Sequence, residues 1–299
     1  MQSIKHAFRF IGASFSLALK HTQLQEPWLT LGIGSLVILF AWFLPMALVA
    51  GLLGLTPWGL ALTGLLAVCV LSDLWVWGEI VALLTARGMS EINQTSETEA
   101  PSNWQFLKKH GMAIFTLTLT KPVLWLGQKL KQLFSPKANP GDDRRLWLNT
   151  PLLALPVIAV EGLTLKGALQ RLDQIVKENL LPIREKLVRV RLIAAVVHLL
   201  FMGIGIALAF WLGLKRAGPE VSNPWQRILA VGIAMLVGWV PTFIGGLFSS
   251  YTRACYATAL YQWVQNVETA RSTSKPKAAQ PPNILRQVLG TGQTPIKDN

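Results

Sequence analysis

The sequence predicts an all-α fold: a polytopic helical membrane protein with four long transmembrane helices, two weak or re-entrant segments and amphipathic interfacial helices. Three observations carry this expectation. Hydrophobic residues make up 52% of the 299-residue chain and charged residues only 14%, with a mean hydropathy of +0.41; that leaves too little polar surface for a water-soluble globule. Four stretches are long and apolar enough to cross a bilayer core, which takes roughly 20 residues. Trp and Phe, 12 of each, far outnumber the 3 Tyr, and Trp favours the membrane–water interface.

The elements follow in order. Residues 4–21 place Ile4, Phe8, Ile11, Phe15 and Leu19 at spacings of three and four, with Lys5, Arg9 and Lys20 largely elsewhere on the wheel. That pattern predicts an amphipathic helix lying in the inner headgroup layer. Residues 1–26 hold no apolar run ending in small residues, so no cleavable signal is expected. The first span covers 28–54, uncharged throughout, with Pro45 inside it. A tight connection at Gly51, Gly54, Thr56 and Pro57 leads to the second span, 55–86, uncharged as far as Ser72 and then continuing in helical rhythm. Residues 87–103 read as a polar loop.

Segment 111–127 carries Lys121-Pro122 and leaves three readings open: a kinked span, half of a re-entrant hairpin, or an interfacial helix. Segment 146–160 is uncharged but short, and Pro151 and Pro156 break it. At Glu161-Gly162 it turns into a basic amphipathic helix, 163–191, with Leu165, Leu169, Leu172, Val176 and Leu180 on one stripe. The remaining spans are 192–214 and 228–262, the latter containing Pro241. Residues 1–266 thus form one helical membrane domain. Residues 267–299 read as a disordered cytoplasmic tail with one helical turn near 283–289.

The net charge of +13, from 28 Lys+Arg against 15 Asp+Glu, would suggest nucleic acid in a soluble protein. Here basic loops that meet anionic lipid headgroups explain it better. Nucleic acid is not expected as a partner, since the basic helix lacks aromatic interleaving and any recognised module. Sixteen Lys/Arg fall in 87–191, three in 1–27, three in 215–227 and none at 51–57. The positive-inside rule then places both termini and the middle section in the cytoplasm of a cell with this chain in its inner (plasma) membrane. The two weak segments must contribute an even number of crossings.

Few residues carry chemistry. Asp73 and Glu79 are the acids on a span, and an intramembrane ionisable group is a functional-site hypothesis by default. Asp73 lies about 26 Å into the helix and Glu79 about 34 Å, at ~1.5 Å per residue, so Glu79 reaches the headgroups and Asp73 stands near the apolar edge. They project roughly 120° apart, which excludes a carboxylate pair. Glu161 is read either as a carboxylate favoured near a helix N-terminus, with Thr164 as the cap, or as a cation- or proton-accepting group at a re-entrant tip. His198 is a packing residue or a proton relay. Lys166, Arg171, Lys177, Arg184, Lys186 and Arg189 are expected to form a lipid-facing basic surface. Cys69 and Cys255 match no metal or redox spacing and read as small buried hydrophobes. No catalytic motif appears, so no catalytic residue, metal or cofactor is expected. Gly59-Thr63-Ala67, Ala230-Ala234-Gly238 and Gly246-Ser250-Ala254 allow close helix approach, within the fold or in a homo-oligomer.

Three segments carry a resemblance: ALPVIAVEGLTLKGALQRLDQIVKEN (Ala154–Asn179), SFSLALKHTQL (Ser14–Leu24) and RACYATALYQWVQN (Arg253–Asn266). Together they resemble a family of uncharacterised multi-pass prokaryotic integral membrane proteins, a domain of unknown function related to the membrane domain of some glycerophosphodiester phosphodiesterases. Asp173 stands where that family usually has Ser. The resemblance implies a six-segment membrane fold and no established activity. The function expected first is a non-enzymatic pore, channel or transporter for a small solute or ion, because short proline-interrupted segments often line a path. The alternative is a membrane scaffold or assembly factor binding partners or anionic lipid through its basic helices and tail. An intramembrane lipid enzyme using Asp73 or Glu161 comes last, since neither has a second catalytic group at workable spacing.

Overall fold

The computed structural model describes residues 2–53, 56–93, 102–134, 144–178, 187–216, 223–273, 280–282 and 284–286. Every regular element among them is helical: α1 (Gln2–Lys20), α2 (Thr22–Leu53), α3 (Pro57–Asn93), α4 (Asn103–Phe134), α5 (Arg144–Glu161), α6 (Leu165–Lys177), α7 (Leu187–Arg216) and α8 (Pro224–Thr273). Local capping sets several starts. Thr56 Oγ1 accepts from Gly59 N at 3.1 Å ahead of α3, Ser102 Oγ from Gln105 N at 3.3 Å ahead of α4, and Asn223 Oδ1 from Trp225 N at 3.0 Å ahead of α8. Each satisfies one of the orphan amides of a first turn. Pro57 and Pro224 occupy first helical positions, where a missing N–H costs nothing.

Four stretches are long and apolar enough to cross a membrane: Thr22–Val49, Pro57–Ile92, Leu192–Gly213 and Ile228–Thr273. All four expected spans are therefore present as helices. α8 has 50 residues, about 75 Å at ~1.5 Å per residue, far more than a hydrocarbon layer of ~30 Å needs.

The chain divides into two compact units. Unit 2 comprises Trp28–Gly78 and Leu192–Ser250. Its large apolar side chains face outward: Ile33, Val37, Phe40, Leu44, Leu65, Ile204 and Phe210 are all exposed. Its buried residues are mostly small, Ala47, Ala194, Ala230, Ala234, Ser35, Ser249 and Ser250, joined by Leu31, Leu39 and Val70. A Cβ added at Gly238 would stand 2.7 Å from Gly205 O and 2.8 Å from Ala209 Cβ, so α7 and α8 approach backbone to backbone. Gly34 likewise makes room for the Trp77 ring, whose Nε1 donates to Thr30 O at 3.1 Å. Trp239 stacks on Phe243 at 4.9 Å.

Unit 1 comprises Met1–Pro27, Glu79–Arg191 and Tyr251–Asn299. It has a conventional core, with Phe10, Leu24, Leu83, Ile114, Ile158, Ile175, Tyr251, Leu260 and Tyr261 fully buried. Phe10 meets Tyr256 edge-on at 5.1 Å, and Tyr251 donates from its hydroxyl to Ser14 O at 2.8 Å.

Several boundaries differ from the sequence reading. α3 changes surroundings at Glu79: Val81, Leu83, Leu84, Ala86 and Met89 are core residues of unit 1, so the apolar rhythm beyond residue 78 reflects a protein core. α8 runs past 266 to Thr273 because Val267 and Ala270 are buried. The weak segment 111–127 falls within the single helix α4. The segment 146–160 is not broken by its prolines: α5 runs through Pro151 and Pro156 to Glu161, and Leu153–Ala159 is buried. Burial of that whole run outweighs the backbone hydrogen bonds that the prolines forgo. The basic helix 163–191 is described as α6 only as far as Lys177, and α7 already begins at Leu187. Its buried stripe is Ala168, Leu172 and Ile175, with Leu169 outside it. In the tail, Ile284–Arg286 forms a helical turn with Leu285 buried. Residues 274–279, 283 and 287–299 lie outside the described residues.

Candidate functional site

A polar constellation that joins residues about a hundred positions apart lies in unit 1, where α5 gives way to α6. Gly162 ends α5 with φ of 65°, donating its N–H to Ile158 O at 3.0 Å; a left-handed residue after a helix is ordinarily glycine. Two residues later Thr164 caps α6, its Oγ1 accepting from Gly167 N at 3.3 Å. The two helices meet with a bend of 114°.

Glu161 is thus the last residue of α5, at the end of a helix where a carboxylate is disfavoured by the dipole. The expected cap, Thr164, is in place, but Glu161 itself closes α5 instead of opening α6. What holds Glu161 is lateral. The Tyr261 hydroxyl from α8 donates to its Oε1, and Arg171 Nε from α6 stands 3.4 Å from the same oxygen. Arg171 then forks onto Glu268 of α8: Nη1 donates to Oε1 at 3.0 Å and Nη2 to Oε2. This bidentate geometry is the strongest form of such a pair. Glu268 first, working against burial, holds Arg171 more firmly protonated than usual. A second layer follows, with Arg171 Nη1 donating to Gln174 Oε1 at 3.3 Å, Gln174 Nε2 to Glu178 Oε1 at 2.8 Å, and Arg271 Nη1 to Glu178 O at 3.1 Å.

Arg171 is accordingly corrected from the outward basic surface to this internal network, its side chain 16% exposed. Lys166 is exposed as expected. Lys177 and Arg189 are described in their backbone only, and Arg184 and Lys186 lie outside the described residues. The other candidates are scattered. Asp73 is exposed in unit 2 and accepts from Trp42 Nε1 at 2.7 Å. Glu79 belongs to unit 1 and is 8% exposed. The two acids fall in different units. His198 is half-buried in unit 2 with its ring against Gly246, where an added Cβ would lie 3.7 Å from Cε1. Gly238 and Gly246 therefore serve helix packing within one chain.

Sequence reasoning missed Tyr261 and Glu268. Seven residues apart on α8, they share a helix face, but nothing local ties them to residues about a hundred positions earlier. Chemically, the cluster sets one guanidinium between two carboxylates with a phenol as further donor. It clamps α5, α6 and α8 together. Among the described residues no group of His, Cys, Asp and Glu is arranged to hold a metal ion. No protein-family model, curated protein or solved structure matches this chain. The family resemblance rests on its three segments alone.

Proposed function

We propose that this protein is a non-enzymatic membrane scaffold, in which unit 2 is the anchor and unit 1 the platform that meets partners. One observation carries the preference over a pore. Leu153–Ala159, the proline-containing run that a pore would use as lining, is instead buried within unit 1, which supports a folded platform over an open path. The clamp of Glu161, Arg171, Tyr261 and Glu268 supports the same reading, because it ties α5, α6 and α8 of one folded unit together. The Lys/Arg distribution favours both termini in the cytoplasm of the inner membrane. Crosslinking in native membranes tests the proposal: one partner in fixed stoichiometry, joined through unit 1 lysines such as Lys166, is expected. Solute flux in proteoliposomes well above that of empty vesicles, abolished by Glu161→Gln, would restore the pore.

A further inference from the structure

α4 has two faces of opposite character. Phe106, His110, Ile114, Leu117 and Thr118 are buried in unit 1. The other face is open and apolar: Trp104 is 67% exposed, Met112 76% and Phe115 48%. At ~100° per residue, Trp104, Lys108, Met112 and Phe115 share an arc of about 80°. Lys108 Nζ stands 5.7 Å over the Trp104 ring, and Lys109 is exposed beside it. In the sequence the apolar rhythm continues from Phe115 through Leu119, Leu126, Leu130 and Leu133, within a helix that reaches Phe134.

Charge identifies what covers this face. Asn103–Phe134 contains Lys108, Lys109, Lys121, Lys129 and Lys131 and not one Asp or Glu. A long helix that combines lysines, an exposed tryptophan and an outward apolar stripe suits the boundary between anionic headgroups and acyl chains. Long lysine side chains lay their stems on apolar surface and keep the ammonium among phosphates. The chain's four long apolar helices bring it to such a surface. We propose that α4 is an in-plane membrane helix: Trp104, Met112 and Phe115 enter the acyl boundary, and Lys108 and Lys109 engage anionic headgroups. This inference rests on the membrane location of those four helices and is independent of the scaffold reading.

The test uses the full chain with Cys69→Ser. Met112→Cys and, separately, Gln170→Cys on the exposed face of α6 carry a nitroxide label in nanodiscs of phosphatidylcholine and phosphatidylglycerol. Collisions with oxygen, which concentrates in hydrocarbon, are compared with collisions with a water-soluble nickel chelate. The Met112 label is expected to be oxygen-accessible and nickel-protected, and the Gln170 label the reverse. Lys108→Gln with Lys109→Gln should lower the oxygen-to-nickel ratio at Met112 several-fold and remove its dependence on phosphatidylglycerol. Equal nickel access at both labels overturns the proposal. So does protection of Met112 from both reagents, which would mean that protein covers the face. A ratio indifferent to the two lysines overturns the headgroup contact.

Discussion

Unit 1 and unit 2 are built from similar helices but solve burial in opposite ways. Unit 2 turns large apolar side chains outward and packs through Gly205, Gly238 and Gly34, as expected when the surroundings are as apolar as leucine and only close approach rewards association. Unit 1 hides Ile158, Leu260 and Phe10 in a protein core and holds Arg171 in part-buried ion pairs with Glu161 and Glu268, as a packed protein interior does. The same α3 and α8 serve both rules: α3 changes at Glu79 and α8 at Tyr251. Helix formation therefore says little about environment; the direction in which the large side chains point says it.

The contrast can be broken by substitution, starting where the effect should be largest. Ile158→Ala in α5 should destabilise unit 1 by about 3 kcal/mol, the usual loss for a fully buried isoleucine. Denaturant unfolding followed by hydrogen exchange in α5 measures it. An unchanged unfolding midpoint would mean that α5 is not a core helix. Gly238→Leu should cost unit 2 about 2 kcal/mol by overpacking against Gly205 and Ala209, read as a lower melting temperature in detergent. Gly203→Leu is its control, because nothing lies within 4 Å of an added Cβ there, and it should be close to neutral. If the two glycines respond alike, close backbone packing is not what holds unit 2.

Smaller effects probe the clamp. Arg171→Ala leaves Glu161 and Glu268 without their shared cation; with these groups part-exposed, the loss should be about 1.5 kcal/mol. Tyr261→Phe removes one donor to Glu161 and should cost about 1 kcal/mol. Both are measured by unit 1 unfolding, and a double variant should lose less than the sum, since both act through Glu161.

The smallest effect concerns pH. His110 packs against Phe106 with ring centroids 4.6 Å apart. Burial first, and then the charge of Lys109, lowers its pKa below the ordinary value. The folded state therefore favours neutral imidazole. Its contribution is present above about pH 6.5 and is lost as pH falls from there toward the depressed value. Unit 1 should unfold more readily at lower pH, and His110→Gln should flatten that dependence. An unaltered pH profile in the variant would place the sensitivity elsewhere.

Composition and local rhythm alone determined that the protein is all-helical and that four helices are apolar enough to cross a membrane. Hydropathy is additive along a segment, so no neighbour is needed to read it. The tight connection at Thr56-Pro57 was equally legible, because turn and capping chemistry is settled within a few residues. Only the tertiary structure decided that α5 continues through two prolines, that Glu79 and the end of α3 belong to a protein core, and that Arg171 turns inward. Each depends on what lies opposite. Apolar side chains meet lipid or protein with the same hydropathy, and Arg171 finds Glu268 from 97 residues away. Partnership over such a distance leaves no trace in local spacing.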